Sequence, residues 1–325
     1  MYHGKIQILF RQEILRVKAS ASSRAAYLDG PLESLSTSQT LRQYFELTKP
    51  RIELLIIIST AVGYCYGIAS HFNVATFINV LMGTALMAAG SATLNQWYER
   101  DIDAQMKRTS MRPIPSGAIP ATHALVFGLA VSIAGLLQLA FFVNTLAAFL
   151  GFLTLAGYLF AYTPLKRLGP ICTTVGAFPG AMPPLIGFAA AAGHLTPGAW
   201  VLFAILFLWQ FPHFHAIAWL YKEQYEQAGI KMLAVVKPNG NGLAAEILLA
   251  LILLVPATLA PAFLGMAGKM YFVAACILNV GFLYFGLRMS RNRTRQRARS
   301  LLLASVLYLP ALFAFLVLSD PRLSL

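Results

Sequence analysis

The stretch from residue 121 to residue 162 reads ATHALVFGLAVSIAGLLQLAFFVNTLAAFLGFLTLAGYLFAY and contains no Asp, Glu, Lys or Arg. It divides into two apolar runs, 121–142 and 145–162, separated by a very short turn. A helix needs about 20 mostly apolar residues to cross the core of a bilayer. Lipid leaves backbone groups unpaired unless the chain forms helices or a closed barrel. The stretch therefore predicts a hairpin of two transmembrane helices.

The rest of the chain repeats this pattern. Further apolar runs cover residues 52–70, 74–94, 171–192, 198–219, 243–264, 269–289 and 300–318. The run 171–192 contains Pro179-Gly180 and Pro183-Pro184, which predicts a kinked helix. The pattern predicts an all-α polytopic membrane protein, with nine transmembrane helices over residues 46–320 and a flexible tail over residues 1–45.

Composition and charge support this fold class. Of the 325 residues, 58% are hydrophobic and 11% are charged, whereas soluble domains carry about 25% charged residues. A disordered chain, a coiled coil and an ordinary soluble enzyme are therefore excluded. The net charge of +13 raises the possibility of a nucleic-acid partner. However, all the Lys and Arg residues except Lys269 and Arg322 lie on the N-terminal side of a nine-span arrangement. That asymmetry indicates a cytoplasmic N-terminus and a lipid-bilayer partner, and no nucleic acid.

The first polar cluster follows the apolar run 74–94. Asn95, Glu99 and Asp103 are spaced at i, i+4 and i+8, so they share one face of a helix, with the two carboxylates about 6 Å apart along its axis. Like charges on one face repel unless a cation lies between them. Ligands that are all oxygen atoms suit Mg²⁺, which often bridges to substrate phosphates. The basic residues Lys107, Arg108 and Arg112 follow at once, as a diphosphate leaving group requires.

These residues belong to a set of blocks that resembles a known family. The blocks are Leu47-Thr-Lys-Pro-Arg51, Asn95 to Pro113, Tyr162-Thr-Pro-Leu-Lys-Arg167, Pro183-Pro-Leu-Ile-Gly187 and Trp209-Gln-Phe-Pro-His-Phe214. In order and spacing, over residues 40–318, they resemble the UbiA superfamily of intramembrane prenyltransferases. Within that superfamily they resemble the protohaem IX farnesyltransferases, or haem O synthases.

The resemblance implies a UbiA prenyltransferase-like bundle of nine helices. It also implies transfer of the farnesyl group of farnesyl diphosphate to a vinyl group of haem B, which gives haem O. Asn95, Glu99 and Asp103 would hold Mg²⁺ and diphosphate, although the family usually has Asp where Glu99 stands. The candidate ligands of diphosphate or of the haem propionates are Arg51, Lys107, Arg108, Arg112, Lys166 and Arg167.

A second polar cluster lies at the end of the run 198–219. His213 and His215 point about 200° apart on an ideal helix and should not bind one ligand together. His213, which falls in a family block, is a candidate for haem contact, for haem ligation or for handling water. His215 is either a packing residue or a substrate contact. Further candidates are Lys222, Glu223 and Glu226, in a loop where the family usually has an acid at Gln224.

Two other functions remain open at this stage. One is a UbiA prenyltransferase with an aromatic acceptor such as 4-hydroxybenzoate. The other is a transporter or assembly factor that holds haem. The resemblance also implies haem A synthase or cytochrome oxidase assembly proteins as candidate partners. We expect a bacterial inner membrane protein, with the mitochondrial inner membrane as the alternative. The six arginines between Arg288 and Arg299 are interpreted as an anchor on anionic lipid.

Overall fold

The computed structural model describes residues 36–68 and 71–321, apart from the side chain of Arg51. Expectations for residues 1–35, for the Arg51 side chain and for Arg322 lie outside this part of the chain. The described residues form helices and no β-strand. The α-helices are α1 (Thr37–Leu47), α2 (Pro50–Gly67), α3 (Val74–Asp103), α4 (Ala121–Phe142), α5 (Thr145–Ala156), α6 (Thr163–Leu165), α7 (Cys172–Gly180), α8 (Pro183–Ala192), α9 (Pro197–Leu220), α10 (Lys222–Gln227), α11 (Leu233–Val236), α12 (Asn241–Phe263), α13 (Lys269–Arg291) and α14 (Arg295–Leu318). A π-helix, Gly157–Tyr162, joins α5 to α6.

The described residues contain eight helical segments that are long and apolar enough to cross a membrane. The chain is therefore a polytopic helical membrane protein, and the predicted count of nine spans is slightly too high by this criterion. The predicted span that does not meet this criterion is the first apolar run, 52–70. Its apolar helical part is only Ile52–Gly67, which at 1.5 Å per residue is about 24 Å long and shorter than a bilayer core of about 30 Å.

The predicted kink in the run 171–192 is confirmed. Helix α7 ends at Gly180 and α8 begins at Pro183, so the span consists of two short helices. Proline fixes φ and lacks an N–H, which suits the first turn of a helix and disrupts a helix interior. The Pro183-Pro184 pair accordingly starts α8. The side-chain amide of Gln210 on α9 braces the break by donating to the carbonyl of Ala177, at 3.1 Å.

Small residues let neighbouring helices come into backbone contact. A Cβ added at Gly187 of α8 would lie 1.9 Å from the carbonyl oxygen of Thr60 on α2. A Cβ added at Gly135 of α4 would lie 2.7 Å from the amide nitrogen of Met87 on α3. Such close approach is the usual basis of helix association in lipid, where no hydrophobic force drives helices together. These two contacts hold α2 against α8, and α3, which carries the first polar cluster, against α4.

The last three helices share a neutral, buried network of hydrogen bonds. The Asn279 amide of α13 donates to the hydroxyl of Thr258 on α12, at 2.8 Å, and accepts from the hydroxyl of Tyr308 on α14, at 2.7 Å. The hydroxyl of Tyr271 donates to the carbonyl of Thr258, at 2.6 Å. No charged side chain takes part in these bonds, which we call the neutral network.

Candidate active site

Helix α3 carries the predicted stripe of polar residues. Its 30 residues are about 45 Å long, so its last turns extend beyond an apolar core of about 30 Å. The exposed fractions are 1% for Asn95, 7% for Glu99 and 2% for Asp103. The Asn95 amide donates to Oε2 of Glu99, at 3.0 Å, which confirms that neighbouring members of the stripe share one face. The stripe is therefore buried, not a solvated helix surface.

Two cations from other segments neutralise the two carboxylates. Nζ of Lys166 lies 2.8 Å from Oε1 and 2.9 Å from Oε2 of Glu99. A guanidinium nitrogen of Arg112 lies 2.6 Å from Oδ2 of Asp103. Burial lowers the pKa of Lys166, but the Tyr162 phenol and the Glu99 carboxylate raise it by more than burial lowers it. The pKa of Lys166 therefore lies above the ordinary value for lysine. Lys166 therefore stays a cation at neutral pH.

Lys49 is a third basic side chain at this site, and its Nζ donates to Oδ1 of Asn95, at 3.1 Å. Its φ of 57° and ψ of 59° place it in the left-handed region, which is uncommon for a residue other than glycine and costs about 1–2 kcal/mol. Among the described non-glycine residues it is the one with positive φ. Burial, followed by the nearby charges of Arg112 and Lys166, lowers the pKa of Lys49 to about 7. We call Asn95, Glu99, Asp103, Lys49, Arg112 and Lys166 the carboxylate site.

The π-helix between α5 and α6 completes this site. The Asn95 amide also donates to the hydroxyl of Thr163, at 3.2 Å, and its Oδ1 accepts from the hydroxyl of Tyr158, at 3.4 Å. Nζ of Lys166 lies 4.5 Å from the centroid of the Tyr162 ring, within the range of a cation–π contact. π-helical turns are rare and frequently occur at functional sites. This one brings two phenol rings and the Lys166 cation to the end of α3.

The donor chemistry of the site fits Mg²⁺. Asn95, Glu99 and Asp103 supply oxygen atoms only, and Mg²⁺ is usually held by one or two carboxylates together with substrate phosphates. Within residues 36–68 and 71–321, no group of three or more His, Cys, Asp or Glu side chains is placed to hold a metal. The described chain alone therefore offers a partial coordination shell, which phosphate oxygens would complete.

Arg108 lies between the two polar clusters predicted from the sequence. Its backbone N–H donates to Oε1 of Gln224, at 3.1 Å, and its guanidinium donates to the hydroxyl of Tyr225, at 3.3 Å. The guanidinium also lies 4.8 Å from the centroid of the Tyr221 ring. The loop after α3 is thereby attached to the segment after α9, although Arg108 itself touches no member of the stripe through these bonds.

The other predicted charged residues lie at this end of the bundle without joining the carboxylate site. Lys107, Arg167, Glu223 and Glu226 are exposed. Lys222 donates to the carbonyl of Pro238, at 3.2 Å, and lies over the ring of Trp219. The backbone N–H of Lys231 donates to the carbonyl of Lys166, at 2.8 Å, so the segment after α10 also reaches α6.

The two histidines of α9 bond to different helices, as their angular separation predicts. His213 Nδ1 lies 2.8 Å from Oγ of Ser305 on α14. His215 Nε2 lies 2.8 Å from Oε2 of Glu246 on α12, a hydrogen bond that the sequence does not reveal. His215 is 1% exposed and is held by this contact, whereas His213 is only partly buried.

Residues 56–316 match the model of the UbiA prenyltransferase family, and the chain belongs to that family and is a prenyltransferase enzyme. A relative from Solibacter usitatus is 53% identical over 292 residues, which cover 87% of this chain and 100% of the relative. A relative from Koribacter versatilis is 46% identical over 86% of this chain and 93% of its own length. Both relatives carry the name protohaem IX farnesyltransferase, and a mitochondrial protein of that name from Arabidopsis thaliana is 36% identical over 85% of this chain.

Solved structures show the same fold at low sequence identity. A structure from work on digeranylgeranylglyceryl phosphate synthase has a TM-score of 0.71 at 18% identity and covers 87% of this chain and 99% of its own. A UbiA homologue from Archaeoglobus fulgidus, bound to GPP and Mg²⁺, has a TM-score of 0.59 at 19% identity over 85% of this chain and 99% of its own. The helical bundle described above is therefore the UbiA fold.

Proposed function

We propose that this prenyltransferase moves the farnesyl group of farnesyl diphosphate onto a vinyl group of haem B to give haem O. The observation that carries the proposal is the carboxylate site, in which a buried Asn95–Glu99–Asp103 stripe faces three basic side chains from separate segments. The name shared by relatives up to 53% identical supports farnesyl diphosphate and haem B as the substrates. Arg51, Lys107 and Arg167 remain candidate substrate ligands.

The cations of the site would bind the diphosphate. Lys49, Lys166 and Arg112 present N–H donors at one point, and charge-assisted hydrogen bonds to phosphate are among the strong ones. As the bond between C1 of the farnesyl chain and the diphosphate oxygen breaks, the electron pair stays on diphosphate. Donors fixed in advance at that position stabilise the growing charge without reorganising. The vinyl carbon of haem bonds to C1, water supplies the hydroxyl, and one proton is released.

Asn95, Glu99 and Asp103 would hold Mg²⁺, which when bound neutralises the charge that develops on diphosphate. The carboxylates are already ion-paired, so when Mg²⁺ and diphosphate bind, Glu99 and Asp103 would exchange their cations for the metal, and Lys166 and Arg112 would bind the phosphate oxygens. The phenol rings of Tyr158 and Tyr162 lie beside this position, where the π-face of an aromatic ring favours a neighbouring cation. They would therefore stabilise positive charge on the allylic carbon.

The orientation of the enzyme in the membrane is inferred from the position of its basic loops. Contacts among the start of α2, the end of α3 and the segment after α9 gather the basic loops on one side of the bundle. By the positive-inside tendency that side, with the N-terminus, would be cytoplasmic in the inner membrane of a bacterium, or face the matrix in a mitochondrion. Residues 46–320 would form the catalytic domain and residues 1–45 a tail.

The test is conversion of haem by the purified full chain. The protein in detergent is supplied with haem B, farnesyl diphosphate and Mg²⁺, and the haem is examined by mass spectrometry. We expect haem O, and much less of it from Asp103→Ala. Absence of haem O above that variant would refute the proposal, and prenylation of 4-hydroxybenzoate in a parallel reaction would assign an aromatic acceptor instead.

A further inference from the structure

A cavity opens between two membrane-spanning helices at the polar end of the bundle, outside the carboxylate site. It lies between the end of α9 and the start of α14 and has a volume of about 470 Å³, within the range of about 300–1,000 Å³ that is usual for small-molecule sites. We call it the arginine cavity. Its lining combines two arginines with apolar and aromatic side chains and contains no carboxylate: Leu220, Tyr221, Arg295, Gln296, Arg299 and Leu302.

The two arginines of this cavity keep most of their hydrogen-bonding capacity. Arg295 donates to the carbonyl of Leu220, at 3.2 Å, which uses one of its five N–H groups. Arg299 lies one turn further along α14, is exposed, and makes no hydrogen bond or ion pair with the residues that the structure describes. Guanidinium groups bind phosphate through two parallel hydrogen bonds. The cavity therefore offers donors suited to a phosphate group.

Other arginines of the same basic segment have different contacts. The segment 288–299 contains six arginines and no Asp or Glu. Three of the arginines outside the cavity donate to the protein itself: Arg288 to the hydroxyl of Tyr284, Arg293 to the side chain of Asn241, and Arg297 to the carbonyl of Arg288. The six side chains are thus not equivalent, as a general anchor on lipid would allow them to be.

Exposed apolar side chains continue from the cavity along α14. Leu303 and Val306 follow Arg299 by four and seven residues, so the three side chains share one face of the helix. Leu303 is 57% exposed and Val306 is 50% exposed. Because α14 is long and apolar enough to span the membrane, this face contacts lipid. A molecule with an anionic head at the arginines and an acyl chain along this face would match both parts.

One wall residue of the cavity also contacts the loop that serves the carboxylate site. The ring centroid of Tyr221 lies 4.8 Å from the guanidinium of Arg108. The backbone N–H of Arg108 donates to Oε1 of Gln224, at 3.1 Å, and Arg112 of the same loop pairs with Asp103. A ligand that fixes Tyr221 would therefore restrict the loop that supplies a cation to the carboxylates.

We propose that the arginine cavity binds one anionic phospholipid, with its phosphate on Arg299 and Arg295 and an acyl chain along Leu303 and Val306. The bound lipid holds Tyr221 against Arg108 and so orders the loop 104–120. Basic pockets between membrane helices on the cytoplasmic side bind the head groups of anionic lipids, and the orientation proposed above places the cavity on that side. The inference goes beyond the proposed function, because it assigns a ligand that the reaction does not consume.

Binding is tested by native mass spectrometry of the purified full chain in detergent, mixed with phosphatidylglycerol or with phosphatidylcholine. We expect one molecule of phosphatidylglycerol to be retained in preference to phosphatidylcholine. Arg299→Gln, at an exposed position, should weaken this binding by about tenfold, as expected for a lost charge-assisted hydrogen bond. Equal retention of the two lipids, or equal affinity in the variant and the unaltered protein, would overturn the proposal.

Arg291→Gln is the matched control for this variant. Arg291 is exposed and belongs to the same basic segment, but it does not line the cavity. Its substitution removes the same charge and should leave the affinity for phosphatidylglycerol unchanged. Equal weakening by the two variants would show that the segment attracts lipid by its summed charge, and a discrete site would then be wrong.

A prenyl diphosphate also combines an anionic head with an apolar chain, so a competition experiment decides between the two ligands. Farnesyl diphosphate, added without Mg²⁺ or haem, should leave the bound phosphatidylglycerol in place. Inorganic phosphate should not displace it either, because phosphate has no chain to contact α14. Displacement by farnesyl diphosphate would assign the cavity to the prenyl substrate, displacement by phosphate would assign it to a free anion, and either result would refute the proposal.

The link to the carboxylate site is tested by hydrogen–deuterium exchange in nanodiscs of phosphatidylcholine, with and without phosphatidylglycerol. Amide exchange over residues 104–120 reports local opening of the loop. With lipid at about ten times its Kd, exchange should slow by up to about tenfold. Tyr221→Leu should retain the lipid and lose the slowing. Absence of slowing in the unaltered protein, or the same slowing in Tyr221→Leu, would contradict the link through Tyr221.

These measurements are separable from the test of the proposed function, because none of them uses haem or turnover. Failure to retain phosphatidylglycerol would refute the lipid site and leave the proposed activity in place. Failure to form haem O would refute the activity and leave the lipid site in place.

Discussion

The carboxylate site and the neutral network are both buried and polar, yet they are built from different groups. The first joins Glu99 and Asp103 to cations contributed by distant segments, and its ion pairs consist of partners that a diphosphate and a metal could exchange. The second joins Asn279, Thr258 and Tyr308 by hydrogen bonds between uncharged groups. A satisfied neutral network stabilises one packing of helices, whereas a buried ion pair contributes little net stability and is therefore better explained by function. The comparison predicts that substitutions in the first region reduce activity most and that substitutions in the second reduce stability alone.

The largest effect is expected at Asp103. Asp103→Asn keeps the size of the side chain and removes the charge that would hold Mg²⁺, so haem O formation should fall by about 10³-fold. The rate is measured with saturating substrates and Mg²⁺. Asp101→Asn, at an exposed position two residues earlier, is the control and should change the rate little. A similar loss in both variants would show that the burial of Asp103 has no special role.

Lys166 should affect both activity and stability. Lys166→Met leaves the Glu99 carboxylate buried without its cation, which should lower the free energy of unfolding by about 3 kcal/mol and the rate by about 10²-fold. Thermal unfolding in detergent and the rate of haem O formation are measured together.

A double variant separates the two effects of Lys166. Adding Glu99→Gln to Lys166→Met removes the unpaired charge, so most of the lost stability should return. The rate should stay low, because neither the cation nor the carboxylate is present. Recovery of both quantities would contradict a catalytic role for the pair.

Substitutions of Lys49 test whether the strained left-handed backbone at this position is kept because the site needs the charge of the side chain. Lys49→Ala and Lys49→Gly both remove the ammonium group and should reduce activity by about tenfold. The glycine variant should be more stable than the alanine variant by about 1 kcal/mol, because glycine adopts positive φ without strain. Equal stabilities would indicate that the backbone at residue 49 relaxes when the side chain is removed.

The smallest effect on activity is expected in the neutral network. Tyr308→Phe removes the donor to Asn279, which should lower the free energy of unfolding by about 1 kcal/mol and leave the rate within about twofold. Tyr98→Phe, at an exposed ring, is the matched control and should change neither. A large loss of activity in Tyr308→Phe would mean that the two regions are coupled.

The parts of the structure that follow from short-range rules were predictable from the sequence. Lipid leaves helices as the main way to pair the backbone, so the apolar runs and the kink at Pro183 were foreseen. The spacing of Asn95, Glu99 and Asp103 placed them on one face, because that spacing depends only on the helical repeat. The count of spans was too high because the apolar helix of the first run begins at Ile52 but ends at Gly67, which leaves it shorter than the bilayer core.

The parts that depend on packing were not predictable in the same way. Lys49 reaches Asn95 across 46 residues of sequence, and no local periodicity reports such a pairing. Lys49 does lie in a family block, directly before Pro50, and that position was an indication in the sequence that Lys49 has a functional role. For Tyr158 the sequence gives a weaker indication, namely its position four residues before Tyr162 of a family block. Its contact with Asn95 depends on how α3 and the π-helix pack together, which the sequence does not show.

The π-helix has a consequence for the evolution of this chain. Its hydrogen bonds span five residues instead of four, so the segment Gly157–Tyr162 contains more residues than an α-helix would need for the same turn. Deleting one residue here would restore a regular helix without rotating Lys166 away from Glu99, but it would remove the widened turn that carries Tyr158 and Tyr162. Insertions and deletions in this segment should therefore be selected against even where every named side chain is retained.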